Sequence, residues 1–211
     1  MDADLPDAAT PPAAPAPKKR LKPGERRHQI LQVLAGMLEQ PGAERITTAA
    51  LAARLDVSEA ALYRHFASKA QMFEALIEFI ESSVFALVNQ IVEHPQPLPP
   101  PGKAGRIASV ILQFGEKNPG MTRVMVGDAL VYENERLTAR INQFFDRIES
   151  SLRQVLRAAA ELQGSATPTV QASAQASVWV SFILGRLQRY ARTGFKRLPT
   201  EQLDASLRSI G

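Results

Sequence analysis

One stretch, Thr47–Lys69, limits what this chain can fold into more than any other. It reads TTAALAARLDVSEAALYRHFASK and divides into two short helical patterns around a turn. The spacing predicts a first helix from about Thr48 to Leu55, with Ala49, Leu51, Ala52 and Leu55 facing inward. Asp56-Val57-Ser58 follows as a turn, and Ser58 is suited to cap a second helix that opens at Glu59 and runs to about His65. That helix buries Ala61 and Leu62 and turns Glu59, Ala60, Tyr63 and Arg64 outward. The small side chains of Ala52, Ala53, Ala60 and Ala61 let the two helices cross closely at a steep angle. A pair of this kind is a helix-turn-helix, whose second helix enters a DNA major groove. A plain helical hairpin uses the same periodicity, so the pattern alone leaves both readings standing.

Leu62-Tyr63-Arg64-His65-Phe66, followed by Ala67-Ser68-Lys69, resembles the end of the recognition helix and the start of the next helix in TetR-type regulators. The resemblance implies a DNA-binding surface of Thr47, Thr48, Ser58, Glu59, Ala60, Tyr63, Arg64, His65 and Lys69, with Tyr63 and Lys69 on phosphates. Asp56 departs from the family, which has glycine at the turn, but aspartate tolerates a left-handed backbone better than most residues.

Charge is unevenly placed. The net charge is only +4, yet residues 18–27 carry six basic side chains against one acid. Lys18, Lys19, Arg20, Arg26 and Arg27 thus form a basic arm directly before the motif, where phosphate contacts would raise affinity without reading sequence. A charge run by itself reads as a solvated linker, and its place next to the motif reverses that reading. Residues 1–24 are rich in alanine and proline, with Asp2, Asp4 and Asp7, and are expected to be disordered. They contain no apolar signal-peptide core, no apolar run approaches the ~18 residues of a membrane span, and there is no cysteine. Disulfides, thiol catalysis and thiolate metal sites are excluded, and the expectation is a cytoplasmic protein without a membrane partner.

The rest of the chain reads as all-α. The expected domains are a disordered tail over 1–24, a DNA-binding head over 25–70 and a helical regulatory and dimerisation body over 71–211. Glu25 to about Gln40 is amphipathic and is stopped by Pro41-Gly42. Ser68 caps a helix to about Val92 that is apolar over more than one stripe and so has more than one partner. His94–Gly102 must be a loop because five prolines cannot occupy a helix interior; a Pro-rich ligand for another domain is the rarer reading. Further helices are expected from about Lys103 to Lys117 and from Pro119 to about Val131, the second with Asn118 as N-cap. Others follow over Glu133–Gln163, Pro168 to about Thr193, and Glu201–Ile210 capped by Thr200. Ala172, Ala174, Ala176, Trp179, Phe182, Ile183 and Leu187 make a seam that is either monomer core or the interface of a homodimer. A dimer suits a helix-turn-helix, because two-fold symmetry reads two half-sites.

Enzyme chemistry is not visible. His28, His65 and His94 lie in separate elements without metal-ligand spacing, and there is no phosphate-binding glycine loop or nucleophile elbow. Asp128 is expected inside an apolar helix, as either a buried acid or a satisfied core carboxylate. No cofactor or metal is expected.

Three longer blocks sharpen the resemblance: RITTAALAARLDVSEAALYRHFASKAQMFEALIEFIE, FGEKNPGMTRVMVGDAL and RINQFFDRIESSLRQVLR. They are similar to the nucleoid occlusion branch of the TetR-type regulators. That resemblance implies a dimer on chromosomal DNA that binds the C-terminal tail of the tubulin-like protein FtsZ and blocks septum assembly over the nucleoid. It places the tail in a groove that includes Phe79, Val110, Phe114, Lys117 and Asn118, with lysine where some relatives have arginine. On the residues alone, Phe79 reads as core, and only the resemblance reverses that reading. The alternative function is a repressor whose body encloses a small-molecule pocket.

Overall fold

Polar side chains cap four of the described helices at their N-termini, and left-handed residues end several of them. The computed structural model describes residues 23–40, 46–95 and 102–210. Residues 1–22, with Lys18, Lys19 and Arg20, lie outside the described residues, as do Pro41-Gly42 and Pro97, Pro99, Pro100 and Pro101 of the 94–102 loop. The head comprises α1 (Pro23–Leu38), α2 (Thr48–Leu55) and α3 (Glu59–Tyr63). A long α4 (Lys69–Glu93) leads into α5 (Gly102–Lys117), α6 (Pro119–Met125), a 3-10 turn (Asp128–Leu130), α7 (Glu135–Leu162), α8 (Pro168–Arg192) and α9 (Leu203–Ile210). Among the described residues there is no strand.

Head and body share one continuous core. Ile30, Leu34 and Leu38 of α1, Leu51 of α2 and Leu62 and Phe66 around α3 join a buried cluster that continues through Met72, Phe73 and Leu76 of α4. Three short helices enclose little apolar volume, so the head depends on α4 for closure. Each fully buried large side chain contributes roughly 1.5–3 kcal/mol. In the body, α7 and α8 pack along their lengths over Phe144, Ile148, Leu152, Trp179 and Ile183.

α4 and α7 run side by side in the same direction, because their ion pairs ascend together. Lys69 pairs with Glu133 just before α7, Glu74 with Arg136 at 2.8 Å, and Glu81 with Arg140 at 2.7 Å. Phe85 then meets Phe144 edge-on, with ring centres 5.7 Å apart. Glu81, its ion partner and hydrogen-bond acceptor, holds the Arg140 guanidinium above its usual range against the opposing effect of burial.

Several expectations need correction. α1 begins at Pro23, inside the segment expected to be disordered. Ala49 is exposed rather than inward-facing. The helix from Pro119 stops at Met125 instead of about Val131, because Gly127 adopts φ 79° and breaks the turn. Asn118 does not cap it through its side chain; its amide instead donates to the Phe114 carbonyl at 2.8 Å. Asp128 is thereby half-exposed outside the helix, and the buried charge is Arg123, whose Nε donates to Asp128 Oδ2 at 2.8 Å. α7 is capped by Asn134, which leaves Glu133 before the helix. Thr200 does not cap α9; its hydroxyl donates to the Glu116 carboxylate and the helix starts at Leu203. α4 is long and apolar enough to cross a membrane by length and composition, although Glu74, Glu78 and Glu81 interrupt its apolar run. Here Phe73, Leu76, Ile77, Ile80 and Val84 are buried within the bundle.

Candidate nucleic-acid interface and adjoining groove

The helix-turn-helix is built by its own polar side chains. Thr47 caps α2 by accepting from the Ala50 N–H at 3.1 Å, and Ser58 caps α3 by accepting from the Ala61 N–H at 3.2 Å. Such caps are worth about 1 kcal/mol each. Between them Asp56 takes φ 54°, ψ 53°, the left-handed conformation that ends α2 and turns the chain. Thr48 donates to Glu59 Oε2 at 2.6 Å and ties the start of α2 to the start of α3. Several residues expected at the DNA surface therefore also fix its shape.

The structure brings most of that surface together. Thr47, Ser58, Glu59, Ala60, Tyr63 and Arg64 are exposed, while Thr48 and His65 are half-buried. Tyr63, the last residue of the five-residue α3, is 45% exposed. Arg26 and Arg27 belong to α1 rather than to an arm. The Arg27 guanidinium lies 4.2 Å from the Phe66 ring centre and donates to the His65 carbonyl. Arg26 donates to Gln29 at 2.6 Å. Lys69, at the first position of α4, is engaged by Glu133 from the body and lies 5.7 Å from the Phe73 ring centre.

The second set of expected residues lies along α4 and α5, which pack against each other. Phe73 and Phe85 of α4 are buried, but Phe79 is 36% exposed, so the reading of Phe79 as core does not hold. Val110 and Phe114 are half-buried one turn apart on α5, Lys117 is exposed at its end, and Asn118 follows. Val110 and Phe114 pack in part against the core, and Lys117 puts a charge at the end of the same helix. His28 of α1, to which the sequence assigns no role, meets Phe79 edge-on with centroids 5.9 Å apart. Nothing in the local sequence of either residue signals that contact, because it joins segments about 50 positions apart.

The seam of α8 divides. Ala172, Ala176, Trp179, Ile183 and Leu187 are buried within the single chain, whereas Ala174 is exposed and Phe182 half-buried. A different stripe of Val170, Ala174, Val178, Ser181 and Gly185 faces outward, with Val170 and Val178 more than half exposed. Large side chains are buried through the body core, and the concavity of about 450 Å³ between Gly127, α7 and α8 is open at the surface. Among the described residues no group of histidines and carboxylates is placed to hold a metal ion.

Comparison with known proteins covers both halves. Residues 30–76 match the family described as bacterial regulatory proteins, tetR family. Residues 103–209 match the SlmA-like family described as tetracyclin repressor-like, C-terminal domain. The nucleoid occlusion factor SlmA of Photobacterium profundum is 50% identical over 184 residues, 87% of this chain and 92% of that protein. Nucleoid occlusion factor SlmA of Colwellia psychrerythraea is 49% identical over 86% of this chain and 90% of its own length. That of Vibrio cholerae is 49% identical over 85% and 90%. Among solved structures, the TetR family transcriptional regulator PfmR of Thermus thermophilus superposes with TM-score 0.69 at 22% identity, covering 86% of this chain and 96% of that one. The transcriptional regulator FadR of Bacillus subtilis, solved with stearoyl-CoA, gives 0.68 at 11% identity over 87% and 96%. These two share the fold.

Proposed function

The chain belongs to the nucleoid occlusion factor SlmA group of TetR-type DNA-binding regulators, which are not enzymes, and on that premise we propose how its residues divide the work. Residues 25–70 form the DNA-binding head and residues 71–211 the regulatory and dimerisation body. The face carrying Thr47, Thr48, Ser58, Glu59, Ala60, Tyr63, Arg64, His65 and Lys69 meets DNA, with α3 in the major groove. Lys18, Lys19 and Arg20 add phosphate contacts, and Arg26 and Arg27 extend the positive surface into α1.

On DNA, the strip of Phe79, Val110, Phe114, Lys117 and Asn118 binds the C-terminal tail of FtsZ and disrupts its assembly over the nucleoid. The observation that carries this reading is near-50% identity to SlmA proteins across head and body together. The exposure of Phe79 on α4 and of Lys117 at the end of α5, two helices that pack together, supports it physically, since apolar surface with a cation suits a short amphipathic acidic peptide. A homodimer forms through α7 and α8. The outward stripe from Val170 to Gly185 supports this, because its small side chains let a second copy approach closely. The protein works in the cytoplasm, on the nucleoid.

Titration of an FtsZ tail peptide against the purified protein, with and without a bound duplex and followed by anisotropy, tests the proposal. Saturable binding that Phe79→Ala abolishes while DNA affinity is kept is the expected result. Absence of peptide binding in both conditions would return the body to the role of a ligand-gated repressor.

A further inference from the structure

Lys69 opens α4 at the boundary of the head, but the group that holds it comes from the body. Glu133 lies between the 3-10 turn and the Asn134 cap of α7, and its carboxylate accepts from the Lys69 ammonium. The two side chains are unequally placed: Glu133 is 10% exposed and Lys69 26%. The carboxylate is therefore the inner partner and the ammonium the outer one. A decoy that competed with phosphate would have the reverse order, with its carboxylate toward solvent. We infer that Glu133 is a positioning residue for DNA binding, contributed by the body, which holds the Lys69 ammonium in place for a backbone phosphate. The inference rests on the proposed contact of Lys69 with DNA.

The physical need for such a residue is plain. A lysine stem has several rotatable bonds, and fixing it on a phosphate costs side-chain entropy that an existing ion pair has already removed. An ammonium has three donors, so one can stay on Glu133 while another meets phosphate. Phe73, with its ring centre 5.7 Å from Nζ, borders the same site. Glu133 is itself held in register, because Arg136 and Arg140 pair with Glu74 and Glu81 on the same α4–α7 seam. The segment that delivers it starts at the proposed peptide site. Lys117 and Asn118 lead into α6, Arg123 of α6 braces Asp128, and Glu133 follows five residues later. A change at the Lys117 end of this segment therefore has a continuous chain path to Glu133, and from there the ion pair to Lys69.

The test is a set of full-length variants, Lys69→Ala, Glu133→Ala, Glu133→Gln and the double alanine variant, titrated with a labelled duplex selected from a randomised pool at several salt concentrations. Lys69→Ala should weaken binding on the order of fivefold, the upper end for one partly exposed ion contact. It should also flatten the log–log salt dependence by about 0.9. Glu133→Ala should reproduce a large part of both effects, and the double variant should be no weaker than Lys69→Ala alone. Glu133→Gln, which keeps an acceptor without the charge, should fall between Glu133→Ala and the parent and guards against a folding defect in the alanine variant. A merely structural role for Glu133 would lower the melting temperature but leave the salt slope intact. Unchanged or tighter DNA binding in Glu133→Ala, with Lys69→Ala impaired, overturns the inference. Full binding by Lys69→Ala overturns the phosphate contact on which it stands.

Discussion

Gly120 lies so close to Ala35 that a Cβ on it would stand 1.9 Å from the Ala35 carbonyl oxygen. Only a residue without a side chain lets α6 of the body reach the backbone of α1 in the head. Three residues on, the buried Arg123 directs Nη1 toward the Leu38 carbonyl at 3.4 Å, at the C-terminal end of α1 where helix carbonyls lack partners. The head is thus seated on the body by a glycine contact and a cation.

Gly120→Ala should separate α1 from α6, because the obstacle is backbone and cannot rotate away. The expected cost is about 1–3 kcal/mol, as for other overpacked sites. A melting curve checks it, and an unchanged midpoint would mean that the two helices slide apart freely.

Asp56→Val should destabilise the head, since a β-branched residue is forced into the left-handed conformation at φ 54°. A cost of roughly 1–2 kcal/mol is expected from the backbone alone. Urea unfolding followed by circular dichroism measures it. DNA affinity should fall with it, because α3 takes its direction from this turn.

Replacing Lys18, Lys19 and Arg20 together with glutamine should flatten the salt dependence of DNA binding by up to about 0.9 for each phosphate that these side chains neutralise. Sequence preference should not change, as phosphates carry no base identity. An unaltered slope would make the segment a linker.

Stability should decline at alkaline pH through Tyr190. Its phenol is held above the ordinary value of 10.0, first by burial and then by the charges of Glu116 and Glu39. The folded state thus keeps a proton that the unfolded chain releases first. Its contribution is complete below pH ~10 and is lost as pH rises through the folded value. Tyr190→Phe should remove this part of the pH slope, while forfeiting the 3.1 Å bond to the Glu116 carbonyl, worth about 1 kcal/mol. Parallel slopes above pH 10 for parent and variant would exclude Tyr190 as the source.

Local chemistry carried a large share of the structure. Ser58 and Ser68 cap helices as their positions imply, and Asp56 takes the left-handed turn in place of glycine. The long helices follow the apolar spacing, because helix periodicity and end signals act within about one turn of each residue and can be read in one dimension. The TetR-type likeness was legible for the same reason, in a run of adjacent residues from Leu62 to Lys69.

What the spacing could not supply depends on segments distant in the chain. Glu133 on Lys69, His28 on Phe79 and Gly120 on Ala35 join positions between about 50 and 85 residues apart. Periodicity could say that Phe79 is apolar on a many-sided helix, but not that it remains exposed. It could identify Arg123 and Asp128 as charges near an apolar run, but not which of them is buried. Read in one dimension, the chain specifies its helices, most of their ends and the family motif. Which side chains meet across the head–body boundary is settled in three dimensions, because burial and pairing depend on how helices pack and not on any one helix alone.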